Sequence, residues 1–252
     1  MELIMDKVVL ITGGSRGIGY GIAQAFLDDG YRVVINYWAN EDTARKAIAE
    51  LASKNAIAVK VDVSVKEERI RLLDETLAAF GRIDVLVNNA AVASRYGFFK
   101  TSEEEYDRVY NTNLKAPIFL SKLVAEQMIK QGGGGAIINI GSVAGHRPYG
   151  LIYGDSKAAL LMATKNMATK CAPHGIRVNS ITPGTHKTDL NRHNWEGDPE
   201  TWEKHCKEQI PMGRAGVPVD LGRAAVFLAS EEQAPYICGA DLIIDGGFLS
   251  KR

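Results

Sequence analysis

Thr12-Gly13-Gly14-Ser15-Arg16-Gly17-Ile18-Gly19 sits between two stretches of opposite character. Before it, Val8-Val9-Leu10-Ile11 is continuously apolar, as suits a parallel strand buried on both faces. After it, Tyr20-Gly21-Ile22-Ala23-Gln24-Ala25-Phe26 reads as the start of a helix. A strand that turns into a helix through glycines suits a dinucleotide. Glycine permits the tight turn and close backbone approach to a pyrophosphate, and the free N–H groups of the helix start face its negative charge. The spacing is Gly13-x3-Gly17-x-Gly19 rather than the commoner G-x-G-x-x-G, and alone it also fits a plain tight turn. The reading strengthens only if the rest of the chain supplies a matching sheet and a reactive face.

Further apolar runs at 31–36, 56–63, 83–88, 136–140, 176–181 and 242–244 read as strands that alternate with helical patterns. Helices are expected over 41–54, from a Ser64 cap to Phe80 with Gly81 as the stop, and from about Glu103 behind a Ser102/Glu105 capping box. Two more are expected over 153–171, stopped by Pro173, and over 219–229. Pro117 should bend or divide the helix it falls in. This alternation implies an α/β fold: a single Rossmann-type, doubly wound parallel sheet with helices on both faces, residues 1–252 forming one domain. Ligands of such sheets bind beyond the carboxyl ends of the strands. That gathers 13–19, 36–40, 62–64, 88–91, 141–150 and 182–211 on one rim. The segment at about 185–211 lacks clear periodicity and is rich in His, Trp, Asn and charge, which fits a substrate lid.

Composition bounds the function. The 252 residues carry 30 Lys+Arg against 30 Asp+Glu, so no basic excess draws nucleic acid or an anionic membrane. No run approaches the ~18 apolar residues of a membrane helix, and the acid-bearing Met1–Asp6 does not read as a signal peptide. Cys171, Cys206 and Cys238 are odd in number and far apart, which fits unpaired thiols in a reducing cytoplasm. His174, His186, His193 and His205 show no metal-ligand spacing, so no metal is expected.

The helix after the fifth strand begins Tyr153-Gly154-Asp155-Ser156-Lys157, which puts phenol and ammonium on one face at i, i+4. Such a pair is usually solvated, but this helix starts at the rim. There an ammonium would favour the phenolate, lower the tyrosine pKa from about 10, and let the phenol exchange a proton with an alcohol or carbonyl. Ser142, at the end of the preceding strand, either caps a turn or hydrogen-bonds a substrate oxygen. Asn113, just before Pro117, either faces solvent or holds the bent backbone and a water leading to Lys157.

At this point the chain resembles the short-chain dehydrogenase/reductase family over nearly all its length. Thr12-Gly13-x3-Gly17-Ile18-Gly19 is similar to that family's cofactor motif, and Asn88-Asn89-Ala90-Ala91 to its N-N-A-G, with alanine replacing the last glycine. Tyr153-x3-Lys157 is similar to its active-site motif. Arg177-Val178-Asn179 with Pro183-Gly184 resembles the segment that meets the nicotinamide, and Asp245-Gly246-Gly247 also fits. The resemblance implies a catalytic tetrad of Asn113, Ser142, Tyr153 and Lys157. Tyr153 would be the general acid/base and Ser142 would orient the reacting oxygen. Lys157 would bind the nicotinamide ribose, and Asn113 would support a water relay. One departure is the short spacing from Ser142 to Tyr153, which must tighten the loop at 143–152 and reshape the substrate side.

The resemblance also implies cofactor contacts from Gly13, Ser15, Arg16, Gly17, Ile18 and Gly19, and from Asp62 and Val63 at the adenine. Asn89 and Ala90 would border the nucleotide, with Pro183, Gly184, Thr185 and Thr188 at the nicotinamide side. A carboxylate at the end of the second strand would repel a 2′-phosphate, yet here Asn36 and Tyr37 stand there, with Arg16 nearby in the glycine loop. NADP(H) is therefore expected over NAD(H). The family suggests a homotetramer, with the helices holding Asn113 and Tyr153 packed across one interface. The lid resembles the branch that oxidises aldoses, and 3-oxoacyl-thioester reductases are the alternative, through Val33-Val34-Ile35-Asn36-Tyr37. A sugar or polyol is favoured because His146, Arg147, Tyr149, His186, Asn191, His193 and Asn194 line the two rim loops and sugar hydroxyls need donors and acceptors. His146, Arg147 or His193 would touch those hydroxyls. A non-catalytic nucleotide-binding protein on the same fold is the outside alternative, which loss of Tyr153 or Lys157 would mark; both are present.

Overall fold

The computed structural model describes residues 7–51, 55–94, 96–148, 150–188 and 192–251. The readings of Met1–Asp6, Tyr149 and Asn191, and the end of the helix expected over 41–54, lie outside these residues; so do the side chains of His193 and Asn194. Strand β1 (Val8–Ile11) is flanked by β2 (Arg32–Tyr37) and β4 (Val85–Asn88). The remaining strands are β3 (Ala56–Lys60), β5 (Gly135–Ile140), β6 (Ile176–Pro183) and β7 (Asp241–Ile244). All pair in parallel, in the order β3-β2-β1-β4-β5-β6-β7. The reversal of strand order beside β1 opens a crevice at the carboxyl rim, between the loops after β1 and β4.

The period of two along a strand sends alternate side chains into two cores. Val9 and Ile11 join Val33, Ile35, Val85 and Ile138 on one face. They pack against Ile22 and Phe26 of α1 (Gly17–Asp28), Ala47 of α2 (Glu41–Leu51) and Leu221 and Ala225 of α9 (Pro218–Ala229). Val8 and Leu10 point the other way, with Val34, Leu86, Ile137 and Val178. There they meet Leu72 of α3 (Lys66–Phe80), Leu120 and Val124 of α5 (Ala116–Gln131) and Ala168 of α6 (Leu151–Cys171). β1 is fully buried at all four positions, which is why it reads as an unbroken apolar run.

Several boundaries differ from the sequence reading, each for a local reason. Ser64 does not cap α3: its Oγ donates to Asp62 Oδ1 at 2.7 Å, closing a turn, and Val65 takes the cap position instead. Ser102 does cap α4 (Glu103–Tyr110), its side chain accepting from Glu105 N at 3.3 Å. Pro117 does not end its helix: the backbone stays helical from α4 through a π-helical turn, Asn111–Lys115, into α5, and Pro117 follows that wider turn, which accommodates a residue without an N–H. The expected lid is not one irregular loop. It contains α7 (Arg192–Gly197) and α8 (Pro199–Gln209), the latter capped by Asp198, whose side chain accepts from Thr201 N at 3.1 Å. Asp198-Pro199 was the sequence signal for that helix start.

Candidate active site

The glycine turn is built around contacts that leave no room for a side chain. A Cβ on Gly19 would lie 2.3 Å from the Gly13 oxygen and 2.6 Å from Asn89 Nδ2. Thr12 Oγ1 accepts from the backbone N of both Asn89 and Ala90 at 3.0 Å, and Asn89 Nδ2 donates to Thr12 O and Gly13 O at 2.9 and 3.0 Å. Asn89 thus fastens the loop after β4 to the turn after β1, and its amide is engaged in that task. Ser15, Ile18 and Gly17 are partly covered, and Arg16 is exposed at the N-cap of α1 with an extended backbone. The first-turn N–H groups of α1 lack intrahelical carbonyls by geometry. With the close-packed glycines they form a cradle that fits a pyrophosphate.

Asn36 differs from its expected place. Its side chain is buried, Oδ1 accepting from Gly13 N at 3.3 Å and Nδ2 donating to Val61 O at 2.8 Å. It pins the glycine turn to β2 and to the end of β3 and cannot turn outward to a ribose. Tyr37, half-buried at the last position of β2, is the next group on the rim. Asp62 Oδ1 accepts from Ser64 N at 2.9 Å and holds the turn after β3, while Val63 is buried beside Thr12, Asn88 and Ala90.

On the other side of the crevice, β5 leads through Gly141 to Ser142. Ser142 opens a short 3₁₀ turn, Val143–Gly145, and its Oγ accepts from Ala144 N at 3.1 Å. It caps the turn, and a serine hydroxyl that accepts one bond still has its O–H to donate. Helix α6 begins two residues earlier than expected, at Leu151 (φ +24), behind Gly150 at φ +60. A leucine at a positive φ is strained.

Tyr153 and Lys157 share one face of α6, with Lys157 Nζ 6.0 Å from the centroid of the Tyr153 ring. Lys157 is buried, and its Nζ donates to Ile140 O at 2.7 Å. Loss of hydration pushes the ammonium pKa down to about 8. Asn113 is fully buried in the π-helical turn. Its Oδ1 accepts from Val92 N at 2.8 Å, while its Nδ2 donates to Val92 O at 3.0 Å and Ser156 Oγ at 3.2 Å. Ser156 in turn donates to Tyr153 O at 2.7 Å. The structure therefore joins Asn113 to the Tyr153 turn through Ser156, a residue the sequence reading passed over although it stands inside the Tyr-x3-Lys motif. Behind it, Asn88 donates to Ser121 Oγ and Asn139 Oδ1, and Asn139 donates to Thr164 Oγ1, each at 2.9 Å. The signal for this network was an asparagine inside each of two apolar strands.

The segment at 185–211 starts from the same rim. Pro183 ends β6, Gly184 N donates to Ile244 O at 3.0 Å, and Thr185 O accepts from Gly216 N at 2.9 Å. Thr188 lies against the glycine turn, its Cβ 3.5 Å from a Cβ placed on Gly17. Trp195 Nε1 of α7 donates to Thr188 O at 3.2 Å, which ties α7 to the residue that lies against the glycine turn. Of the polar residues expected at the substrate, His186 is instead buried under Gly216, its Nδ1 3.1 Å from Gly184 O and its pKa lowered by burial. His146 Nε2 lies 2.9 Å from Asp241 Oδ2, and the Arg147 guanidinium sits 4.9 Å from the centre of the Phe248 ring. These three are held by the protein itself. Among the described residues no group of His, Cys, Asp and Glu could hold a metal ion.

This crevice, with its glycine cradle, tyrosine and buried lysine, defines a nucleotide-dependent oxidoreductase site, and comparison with known proteins assigns the family. A family model described as enoyl-(acyl carrier protein) reductase matches residues 13–249. The chain is 40% identical over 252 residues to a galactitol 2-dehydrogenase of Agrobacterium fabrum, covering 96% of this chain and 97% of that one. It is 35% identical over 251 residues to an L-rhamnose 1-dehydrogenase (NAD(P)(+)) of a Sphingomonas species, covering 98% of each. A solved short-chain type dehydrogenase/reductase from Mycobacterium marinum superposes with a TM-score of 0.89 at 32% identity, over 98% of this chain and 97% of that one. The chain belongs to the short-chain dehydrogenase/reductase family. It is a dehydrogenase of that family acting on CH–OH with NAD(P).

Proposed function

We propose that this protein oxidises a hydroxyl of a sugar or polyol, or reduces the matching carbonyl, with NADP(H) preferred to NAD(H). The observation that carries the reading is the Tyr153–Lys157 pair on α6, its ammonium buried and anchored to Ile140 O beside the Ser142 turn. A bound nicotinamide would supply the hydride acceptor for a carbinol carbon in oxidation, or the hydride donor for a carbonyl in reduction. Tyr153 takes the hydroxyl proton in oxidation and gives it back in reduction. The Lys157 charge favours the phenolate, and Lys157 is the residue to hold the nicotinamide ribose. Ser142 donates its O–H to the reacting oxygen, and Asn113 holds the π-helical turn behind Tyr153. Gly13, Ser15, Gly17, Ile18 and Gly19 would cradle the pyrophosphate, Asp62, Val63, Asn89 and Ala90 would border the adenosine, and Pro183 to Thr188 the nicotinamide.

A polar substrate is supported by the substrates for which the relatives are named, galactitol and L-rhamnose. The preference for NADP(H) is supported by the absence of acid from 36 to 40 and by Arg16, exposed at the mouth of the cradle. We propose further that the whole chain acts as one domain with its lid, and that it assembles as a homotetramer. Tyr106, Phe119 and Met162 are exposed on α4, α5 and α6, and the edge strand β7 exposes Ile243, faces that a second copy would cover. A cytoplasmic setting suits its three free cysteines, and no described helix is long and apolar enough to cross a membrane. Steady-state assays of aldoses, polyols and acyl thioesters with both cofactors test the reading. Robust thioester reduction with no activity on any aldose or polyol overturns it in favour of a 3-oxoacyl-thioester reductase.

A further inference from the structure

Asp241, the first residue of β7, receives side-chain hydrogen bonds from two other parts of the chain. Ser180 Oγ and Thr182 Oγ1 of β6 donate to its Oδ1 at 2.6 and 2.8 Å, Thr182 also reaching Oδ2 at 3.0 Å. His146 Nε2 lies 2.9 Å from Oδ2, from a residue 95 positions away. The carboxylate is largely covered and the imidazole about one-third exposed. His146 closes the turn that Ser142 opens: Gly145 N donates to Ser142 O at 2.9 Å and His146 N to Val143 O at 3.1 Å. The same turn is packed on α6 at Gly145, where a Cβ would lie 2.9 Å from Ala158 N and 3.0 Å from the Lys157 carbonyl carbon. The turn carrying Ser142 is therefore held both at the α6 backbone near Lys157 and at the Asp241 carboxylate.

We propose that His146 is a positioning residue for Ser142, acting through its Nε2–H bond to Asp241. This rests on the reading of Ser142 as the group that orients the reacting oxygen. Ser142 has one side-chain torsion before its oxygen, so its hydroxyl goes where the turn backbone goes. Its Oγ also accepts from Ala144 N inside that turn, so the direction left for its proton is set by the same backbone. A misplacement of about 1 Å at such a group lowers turnover by up to about 10²-fold. Asp241 is held in place by Ser180 and Thr182 whether or not His146 is present, so β7 serves as the fixed end of the tie and the turn as the end that is held.

The test compares His146→Leu, His146→Gln and Ser142→Ala, alone and with Ser142→Ala combined with His146→Leu. His146→Leu should lower kcat by about 3–10-fold, with the KM for cofactor unchanged and the melting temperature little moved. His146→Gln, which keeps an N–H donor, should recover most of the loss. In the Ser142→Ala background, His146→Leu should change kcat by less than about twofold, because the group it positions is already gone. The His146 Nε2 proton should give a protected NMR signal that disappears in Asp241→Asn. Equal losses from His146→Leu in the two backgrounds, or none in the intact protein, overturn the positioning role. Near-normal turnover of Ser142→Ala overturns the reading of Ser142 and this role with it. The NMR signal would persist in that case, which separates the two failures.

Discussion

Lys157 Nζ donates to the backbone oxygen of Ile140 at 2.7 Å, from a residue only 2% exposed. The bond ties α6 to the end of β5, two residues before Ser142. It also keeps a cation out of water, and burial pushes its pKa down to about 8.

The consequence for stability has a definite sign. An unfolded lysine titrates near 10.4, so between about pH 8 and pH 10 the unfolded chain holds the proton that the folded chain has lost. Stability from this group rises with pH across that window, and below pH 8 the buried charge is a constant penalty. Lys157→Met should abolish turnover, and its stability relative to the intact protein should fall by on the order of 1–3 kcal/mol between pH 7 and pH 10. Urea melts of both proteins without cofactor check this. A stability difference independent of pH would mean that Lys157 keeps its proton normally when folded.

Tyr153→Phe keeps the ring and removes the phenolic oxygen. Turnover should drop by at least about 10²-fold, the scale of general acid/base catalysis, with cofactor affinity nearly unchanged. Stopped-flow hydride transfer and a cofactor fluorescence titration measure the two separately. Near-normal turnover would remove Tyr153 from the chemistry.

Arg16 is exposed at the N-cap of α1, and no ion pair to a described residue holds it. Its guanidinium is available to pair with a 2′-phosphate. The ratio of kcat/KM for NADP over NAD should favour NADP in the intact protein, and Arg16→Ala should lower that ratio by about 10-fold, the scale of one charge-assisted contact. A clear NAD preference in the intact protein would refute the proposal.

Gly19→Ala puts a methyl where the Gly13 oxygen stands at 2.3 Å. The backbone of the turn must move, and the Asn89 bond to Gly13 O must lengthen or break. A loss of about 1–3 kcal/mol in stability and a cofactor affinity weakened at least about tenfold are expected. Calorimetric titration and a denaturant melt report both, and an unchanged titration would show that the turn accommodates the methyl elsewhere.

Much of this architecture is legible because it is written in short-range pattern. Four fully buried residues make β1 an apolar run, glycines before α1 mark the turn, and Tyr153 and Lys157 share a face simply because helices repeat every 3.6 residues. The segment at 185–211 shows no clear periodicity in the sequence because its helices, α7 and α8, are short and strongly charged and leave little apolar pattern. Asp241 was missed because it stands one residue before the apolar run that marks β7.

By itself, the sequence determined the strand–turn–helix frame, the parallel sheet and the placing of phenol and ammonium on one helix face, since each follows from the conformational limits of neighbouring residues. Only the tertiary structure decided which polar group meets which partner. Asn36 faces inward to Gly13, His146 reaches Asp241 and His186 packs beneath Gly216, although each read as a rim residue free to meet a ligand. A buried or half-buried donor must find an acceptor, and in these cases the acceptor or the packing surface comes from 23 to 95 positions away along the chain. No local pattern encodes such a meeting; it exists only once the sheet has fixed its register.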